Sequence, residues 1–280
     1  MAIITFCSND IKETGQTLSM AAIATYMAIE HNYKILIVST EYNDLTLENC
    51  FWEYSKIRAS GTIKQDAGQV GITSGVEGLV KALNSNRTGT EIVKEYSNII
   101  LKDRLDMLLS PATKVYQEYL EIAKNYSTIL QTASRYYDMI FVDLSKKMPR
   151  KEATEILQIS NIVVVNLTQR LKNIDDFIAL RENSDFYKRK NIMINIGRYD
   201  RFSKYNDKNI TKYLREKKQV SVIPYNTLYF EACSEGTIID FILKIRNIPD
   251  ETDRNVCFTK ELKTLDTNIV NKIQELQMKM

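Results

Sequence analysis

The sequence predicts an α/β protein with a doubly wound, mostly parallel sheet and helices on both faces, formed as a single domain over residues 1–280. Short apolar segments rich in β-branched residues recur along the chain, which is typical of parallel strands buried on both faces. Segments with helical spacing separate them, and this alternation is the pattern of a parallel sheet. No linker rich in Pro, Gly or Ser divides the chain, so we expect one domain.

The apolar segments predict the strands and the stretches between them predict the helices. Buried strands are expected at 3–6, 35–38, 139–142, 162–165 and 192–194, with further strands at 104–109 and 220–226. Helices are expected at 18–27, 75–83, 91–101, 113–137, 174–181 and 210–217. The longest of these, 113–137, has Thr113 as its expected N-terminal cap.

A last helix is expected from about residue 258 to the end of the chain, with leucines and isoleucines three and four residues apart on one stripe. The stripe fits docking on the sheet or, alternatively, peripheral contact with a membrane surface. Docking is favoured because the polar face is not dominated by Lys and Arg. The sequence has no apolar run near the roughly 20 residues of a membrane span and begins without a basic leader. We therefore expect a cytoplasmic protein.

Composition excludes several classes of site. The four cysteines, Cys7, Cys50, Cys233 and Cys257, are too far apart in sequence for a CxxC pair, so a zinc or dithiol site is not expected. The one histidine, His31, excludes catalytic triads that need histidine and metal cages built from several histidines.

The turn between the first strand and the first helix has part of the pattern of a phosphate-binding loop. Gly15 and Thr17 stand where such a loop has its last glycine and its magnesium-binding hydroxyl. Gln16 stands in the place of the lysine that reaches the β- and γ-phosphates, and Lys12 and Glu13 stand where glycines belong. A neutral amide cannot replace an ammonium beside a triphosphate, so transition-state stabilisation is expected to fall by several kcal/mol.

Two strand ends carry acidic side chains. The apolar strand at 139–142 ends in Asp143, which fits either a carboxylate that meets magnesium through water or an aspartate that caps the next turn. The second strand, at 35–38, leads into a polar loop that contains Glu41. Since the carboxyl ends of parallel strands open on the binding site of such sheets, both residues are site candidates.

Taken in order, these residues resemble the ParA/MinD family of deviant Walker A ATPases over nearly the whole chain. The family's KGGxGKT loop is matched weakly by residues 11–17, with Ile11 at the signature lysine and Lys12 beside it. Its strand ending in DxD is matched by residues 39–41, and its YDxIxxD strand by 137–143. Two later segments, NIMINIGRYD at 191–200 and IPYNTLYFEACSEG at 223–236, are similar to the family's adenine-side motifs.

The resemblance implies a P-loop NTPase-like fold and a role for each matched residue. Nucleotide would contact Lys12, Gly15, Gln16, Thr17, Asn195 and Pro224. Magnesium would be held by Thr17 and Asp143. Catalysis would use Glu41 to position water, together with Asp143. Because the loop lacks its lysine, ATP and magnesium are expected to bind weakly or not at all, and the protein is expected to be a pseudo-ATPase.

The altered loop is similar to that of TadZ/CpaE-like members, which help to place pilus or secretion machinery. The resemblance therefore implies a localisation or scaffold protein for pilus, secretion or partition machinery. In this family a dimer encloses the nucleotides and its surface recruits partners. A homodimer and a protein partner in a larger machine are thus expected.

A basic segment supports an alternative function. Residues 188–218 contain eleven Lys or Arg and three acidic residues, a net charge of +8 in a chain whose total is +3. In a DNA-binding, partition-type ATPase this segment would hold DNA non-specifically through phosphate contacts, with Lys188, Arg189 and Lys190 as the leading candidates. The other interpretation is a solvated basic face that balances acidic charge elsewhere.

Overall fold

The computed structural model describes residues 1–10, 14–53, 75–87, 89–189 and 191–278. Within these ranges eight strands form one sheet, in the order β3-β4-β2-β5-β1-β6-β7-β8. All neighbouring pairs are parallel except β3 and β4. This confirms the predicted doubly wound, mostly parallel fold. The strands are β1 Ala2–Ser8, β2 Ile35–Ser39, β3 Asn98–Leu101, β4 Leu105–Leu108, β5 Met139–Asp143, β6 Ile162–Leu167, β7 Ile192–Tyr199 and β8 Ser221–Pro224.

Helices cover both faces of the sheet because successive strand residues point to opposite sides. In β1, Ile4 and Phe6 join one core cluster and Ile3 and Cys7 join the other. The described α-helices are α1 Gln16–Glu30, α2 Thr46–Asn49, α3 Gly75–Asn84, α4 Ile92–Tyr96, α5 Tyr116–Ala123, α6 Tyr126–Ala133, α7 Arg150–Ile159, α8 Leu171–Glu182, α9 Asp207–Tyr213, α10 Thr227–Glu235, α11 Ile238–Ile245 and α12 Arg254–Gln277. Helices α1, α2 and α10 to α12 pack on the first side, and α3 to α9 pack on the second.

The C-terminal helix α12 is docked on the protein, as the apolar stripe predicts. Leu262, Leu265 and Ile269 are fully buried in the core cluster that α1 also joins. The helix begins earlier than the predicted residue 258, because the Asp253 carboxylate accepts a hydrogen bond from the backbone N–H of Asn255 at 2.7 Å and caps it. In the part of the chain that the structure describes, no helix is both long and apolar enough to cross a membrane.

The prediction of a single long helix over 113–137 is wrong. Two helices, α5 and α6, stand in its place, and the break falls at Asn125. The Asn125 side chain donates to the Glu121 carbonyl at 2.9 Å, which a continuous helix would use for the Asn125 N–H. That N–H turns instead to the Ile122 carbonyl. Nor does Thr113 cap the helix, because its hydroxyl accepts from Val115 N–H in a turn before α5 begins.

The helix predicted over 91–101 is also shorter than expected. It ends at Tyr96, and residues 98–101 instead form β3, the antiparallel edge strand paired with β4. The β-branched residues of this stretch favour a strand once a partner edge is present. A smaller difference concerns β7, where Ile192 and Met193 are only half-buried. The neighbouring strand β8 pairs with β7 only from Asn195 onward, which leaves the start of β7 less covered.

Candidate functional site

The carboxyl ends of the central strands open on a cavity of about 490 Å³. Strand β5 lies between β1 and β2, and Asp143 is in register with Phe6 on one side and Ser39 on the other. The first turn of α1 and the start of α10 form the remaining walls. Gly15, Gln16, Thr17, Glu41 and Pro224 all line this cavity, so most of the residues predicted from the sequence are brought together. Lys12 lies outside the described residues.

The turn that leads into α1 depends on two glycines, Gly15 in the turn itself and Gly197 in the strand beside it. Gly15 has a positive φ of 72°, a conformation that glycine adopts without strain, and it directly precedes α1. Gly197, at the end of β7, lies against this turn, since a Cβ on it would be 2.2 Å from the Thr14 carbonyl oxygen. Any larger residue at 197 would push the turn away from β7. Sequence reasoning missed this role, although Gly197 is part of the NIGRYD segment.

Gln16 and Thr17 both bind the carboxylate of Asp143. The Gln16 amide donates to Asp143 Oδ1 at 2.6 Å and to the Leu144 carbonyl at 3.0 Å. The Thr17 hydroxyl donates to Asp143 Oδ2 at 2.7 Å. Asp143 is completely buried behind these two side chains and does not line the cavity. The side chain at the position of the loop lysine therefore points to Asp143, the carboxylate that the sequence predicts for magnesium.

Burial raises the pKa of Asp143 to about 7, and the nearby Glu41 carboxylate adds to the increase. The hydrogen bonds from Thr17 and Gln16 oppose the increase without cancelling it. A hydroxyl and a carboxylate are hard oxygen donors of the kind that Mg²⁺ prefers, so Thr17 and Asp143 fit the ion chemically. Access to Asp143 requires the Gln16 amide to move aside.

Glu41 lines the cavity at the end of β2 and is tied to the loop after β5. Its Oε2 accepts a hydrogen bond from the Ser145 hydroxyl at 2.8 Å, and the Ser145 N–H donates to Thr40 Oγ1 at 2.8 Å. Burial is the main cause of the raised pKa of Glu41. The β2 and β5 loops are thus joined by hydrogen bonds at the point where a water-positioning carboxylate is expected.

A lysine that sequence reasoning missed also lines the cavity. Lys146 follows β5, and its Nζ is buried without a hydrogen-bond partner among the described residues. Burial lowers the pKa of Lys146 to about 8, whereas the charge of Asp10 acts in the opposite direction. The signal was present in the sequence, because position 146 holds a lysine where the resembling family usually has a proline.

The far end of the cavity is built from β8 and α10. Pro224 lies there beside two half-exposed aromatic side chains, Tyr225 and Phe230. Asn226 caps α10, with its Oδ1 accepting from Tyr229 N–H at 3.0 Å. The Tyr229 hydroxyl donates to the Leu18 carbonyl at 2.6 Å and so ties α10 to the first turn of α1. The exposed parts of these two aromatic side chains provide apolar area against which a planar base can stack.

The structure places Asn195 away from the cavity. Its side chain is fully buried within the sheet, and its Nδ2 donates to Asn166 Oδ1 at 2.7 Å. Further along the same strand, Arg198 does line the cavity. The residue of this segment that reaches the site is therefore Arg198, whereas Asn195 belongs to a polar pair between β6 and β7.

Basic side chains cluster on the surface around α9. Five of them are exposed and have neither an ion pair nor a cation–π contact among the described residues, and we call them the basic face: Lys208, Lys212, Arg215, Lys217 and Lys218. Lys188 and Arg189 are exposed as well, but Lys188 pairs with Asp185 at 3.0 Å and Arg189 lies 4.9 Å from the Phe186 ring centre. Lys190 is outside the described residues.

The fold is that of ParA/MinD-type P-loop ATPases. The chain is similar to a ParA family ATPase from Chlorobium tepidum, with 16% identity over 95% of this chain and 98% of that one and a TM-score of 0.69. The cell division ATPase MinD of Pyrococcus furiosus gives 13% identity over 98% and 99% of the two chains and a TM-score of 0.65. A putative plasmid partition protein of Borrelia burgdorferi bound to AMPPNP gives 18% identity over 99% and 98%, with a TM-score of 0.58. No family model and no curated protein matches the sequence.

Proposed function

We propose that this protein is a ParA/MinD-like localisation or scaffold protein that positions pilus, secretion or partition machinery and has weak or no ATPase activity. The proposal combines the fold with a nucleotide site that lacks the charge needed for turnover. It includes a homodimer and a protein partner in a larger machine. Proteins of this fold are known with a bound partner, as in a MinC:MinD complex of Aquifex aeolicus, which supports a recruiting role for the surface.

The main observation behind the proposal is that the Gln16 side chain points to Asp143 and Leu144 inside the protein. In an active phosphate-binding loop a lysine at this position neutralises charge on the γ-phosphate. Here the side chain is a neutral amide whose Nε2 is held by Asp143 Oδ1 and the Leu144 carbonyl. These two hydrogen bonds satisfy the amide inside the protein, so it gains little by turning toward a phosphate. Stabilisation of a phosphoryl-transfer transition state is therefore weak at this position.

Nucleotide binding is compatible with slow turnover. The first backbone N–H groups of α1 favour an anion, and Thr17 and Asp143 are suitable oxygen donors for magnesium. Bound magnesium would neutralise charge on the phosphates. Structures of this fold contain AMPPNP in the Borrelia protein and Mg-ADP in MinD of Pyrococcus horikoshii, which supports ATP and magnesium as the ligands to test.

The test is a calorimetric titration with ATP and magnesium, combined with a phosphate-release assay and sizing with and without nucleotide. We expect weak or absent binding, negligible phosphate release and a dimer whose formation does not need hydrolysis. ADP without magnesium serves as the control for binding that does not depend on the metal site. Rapid ATP turnover by the unmutated protein would overturn the scaffold proposal.

A second candidate function, non-specific DNA binding by a partition-type ATPase, is supported by the basic face. Exposed cations without intramolecular partners can neutralise phosphates with little rearrangement, and each contact releases a counterion. The exposed side chains Phe202 and Tyr213 lie before and among these residues in the sequence and offer stacking surfaces for unpaired bases. Retention on duplex DNA at low salt tests this candidate directly.

A further inference from the structure

The side chain of Lys146 lies at the wall of the cavity, but its amine is shielded from solvent. Its Nζ is buried and makes no hydrogen bond to any described residue. Burying a charged group without a partner costs several kcal/mol, and most proteins avoid this unless a ligand completes the site. The amine therefore has unsatisfied donors next to the cavity.

The loop that carries Lys146 is fixed at both sides of the residue. Ser145 N–H donates to Thr40 Oγ1 at 2.8 Å, and Lys147 N–H donates to the Ser145 hydroxyl at 3.1 Å. The next residues lead into α7, which begins at Arg150. Because its backbone is held in this way, Lys146 does not need to be ordered when a ligand arrives, and this reduces the entropic cost of binding.

Lys146 lines the same cavity as Gly15, Gln16 and Thr17, where the turn before α1 presents its N–H groups. Burial disfavours its ammonium form, whereas the acidic groups Asp10, after β1, and Glu41, after β2, favour it. With a pKa of about 8, most of the amine is protonated at neutral pH. The wall of the cavity therefore contains a buried cation on the loop after β5, which is a different loop from the one that has lost its lysine.

We propose that Lys146 takes over the phosphate-binding role of the missing loop lysine and contacts the polyphosphate chain of a nucleotide from the loop after β5. The proposal rests on the nucleotide site of the proposed function. It concerns binding alone, because a lysine anchored on a different loop approaches the phosphates from another side than the loop lysine of an active enzyme. Relocation of the charge thus explains how this chain can retain nucleotide affinity while position 16 is neutral.

The test measures affinity for two probes, ATP without magnesium and inorganic pyrophosphate, by calorimetry on the full chain. Removing the charge with Lys146→Gln should weaken both probes by roughly tenfold or more, since a hydrogen bond to a charged group contributes about 1.5–3 kcal/mol. Lys146→Arg keeps the charge and should retain most of the affinity. Lys151→Gln, at an exposed lysine of α7, is the matched control and should bind like the wild type.

Thermal melting without ligand separates a binding role from a structural one. Lys146→Gln removes an unpaired buried charge, so the melting temperature of the free protein should stay the same or rise. Equal affinity of Lys146→Gln and wild type, or no binding of either probe by the wild type, would overturn the role of Lys146 and leave the scaffold function standing. Rapid ATP hydrolysis by the wild type would overturn the scaffold function. In that case, a loss of affinity for both probes in Lys146→Gln but not in Lys151→Gln would still support the role of Lys146.

Discussion

The cavity at the ends of β1, β2 and β5 and the basic face around α9 both carry charge, but in opposite physical settings. Behind the wall of the cavity, Asp143 is fully buried and its carboxylate oxygens accept hydrogen bonds from Gln16 and Thr17. On the basic face, exposed lysines such as Lys208 and Lys212 stand in solvent without ion pairs within the described ranges.

This contrast determines how much a single substitution can change. A charge in the interior is weakly screened, so one altered group shifts pKa values, stability and ligand affinity together. A charge on the surface is screened by water and salt, and its individual contribution is small. We therefore expect single changes to act strongly in the cavity, whereas the basic face acts through the sum of its members.

Asp143→Asn should have the largest effect, and it should appear as a change in pH dependence. The pKa of about 7 in the native state lies above the ordinary aspartate value of 3.8, so the native state holds the proton more tightly than the unfolded state. This stabilisation is complete below the unfolded pKa and is lost as the pH rises through about 7. The asparagine cannot ionise, so near pH 8 the variant should be more stable than the wild type by on the order of 3 kcal/mol. Urea unfolding from pH 4 to pH 8 measures the difference.

The matched control for this prediction is Asp240→Asn, at an exposed carboxylate on α11. Its stability should follow that of the wild type across the same pH range. If Asp143→Asn also follows the wild type, burial does not raise the pKa of Asp143 in the native protein. The contrast between interior and surface charge would then not hold at the residue where we expect it to be largest.

Gln16→Lys should raise the affinity for ATP with magnesium by roughly tenfold, because it returns an ammonium to the end of the cavity where the proposed function places the phosphates. Hydrolysis should stay slow, since the signature lysine position still holds Ile11. Calorimetry and a phosphate-release assay measure the two effects separately. Gln274→Lys adds the same charge on the exposed surface of α12 and should change neither. Unchanged affinity in Gln16→Lys would show that charge at position 16 does not limit binding.

The convergence of Gly15, Thr17, Glu41 and Asp143 could be predicted because it follows from the topology. Apolar runs identify parallel strands, and their carboxyl ends must meet at one edge of the sheet. Asn195 was placed near the adenine by resemblance alone, and the strand register instead buries it beside Asn166.

Other features depend on single tertiary contacts that no periodicity reveals. The break between α5 and α6 arises because the Asn125 side chain competes for one backbone carbonyl. The isolation of the Lys146 amine depends on the packing of several loops around it. In both cases the residue was visible in the sequence, but its partner, or the lack of one, was decided by the fold.

On the basic face, one reversal should have a modest effect and several together a large one. Reversing Lys208, Lys212 and Lys218 to Glu should weaken retention on non-specific duplex DNA at low salt. If each cation contacts one phosphate, the slope of log affinity against log salt should fall by about 2.7, or about 0.9 per contact. Fluorescence anisotropy at several salt concentrations measures the slope. Absence of any binding by the wild type at low salt would rule out the DNA-binding function.

The smallest effect per residue is expected for Lys188→Glu and Arg189→Glu, although Lys188, Arg189 and Lys190 lead the basic segment in sequence. Lys188 already pairs with Asp185, and Arg189 packs against the Phe186 ring, so both have partners to give up before they reach a phosphate. The double reversal should therefore reduce the salt slope less per residue than the triple reversal on the basic face. Lys244→Glu, at a lysine on α11, controls for net charge alone. If the double reversal abolishes binding while the triple reversal does not, DNA contacts the segment at 188–189 and the basic face is only a solvated surface.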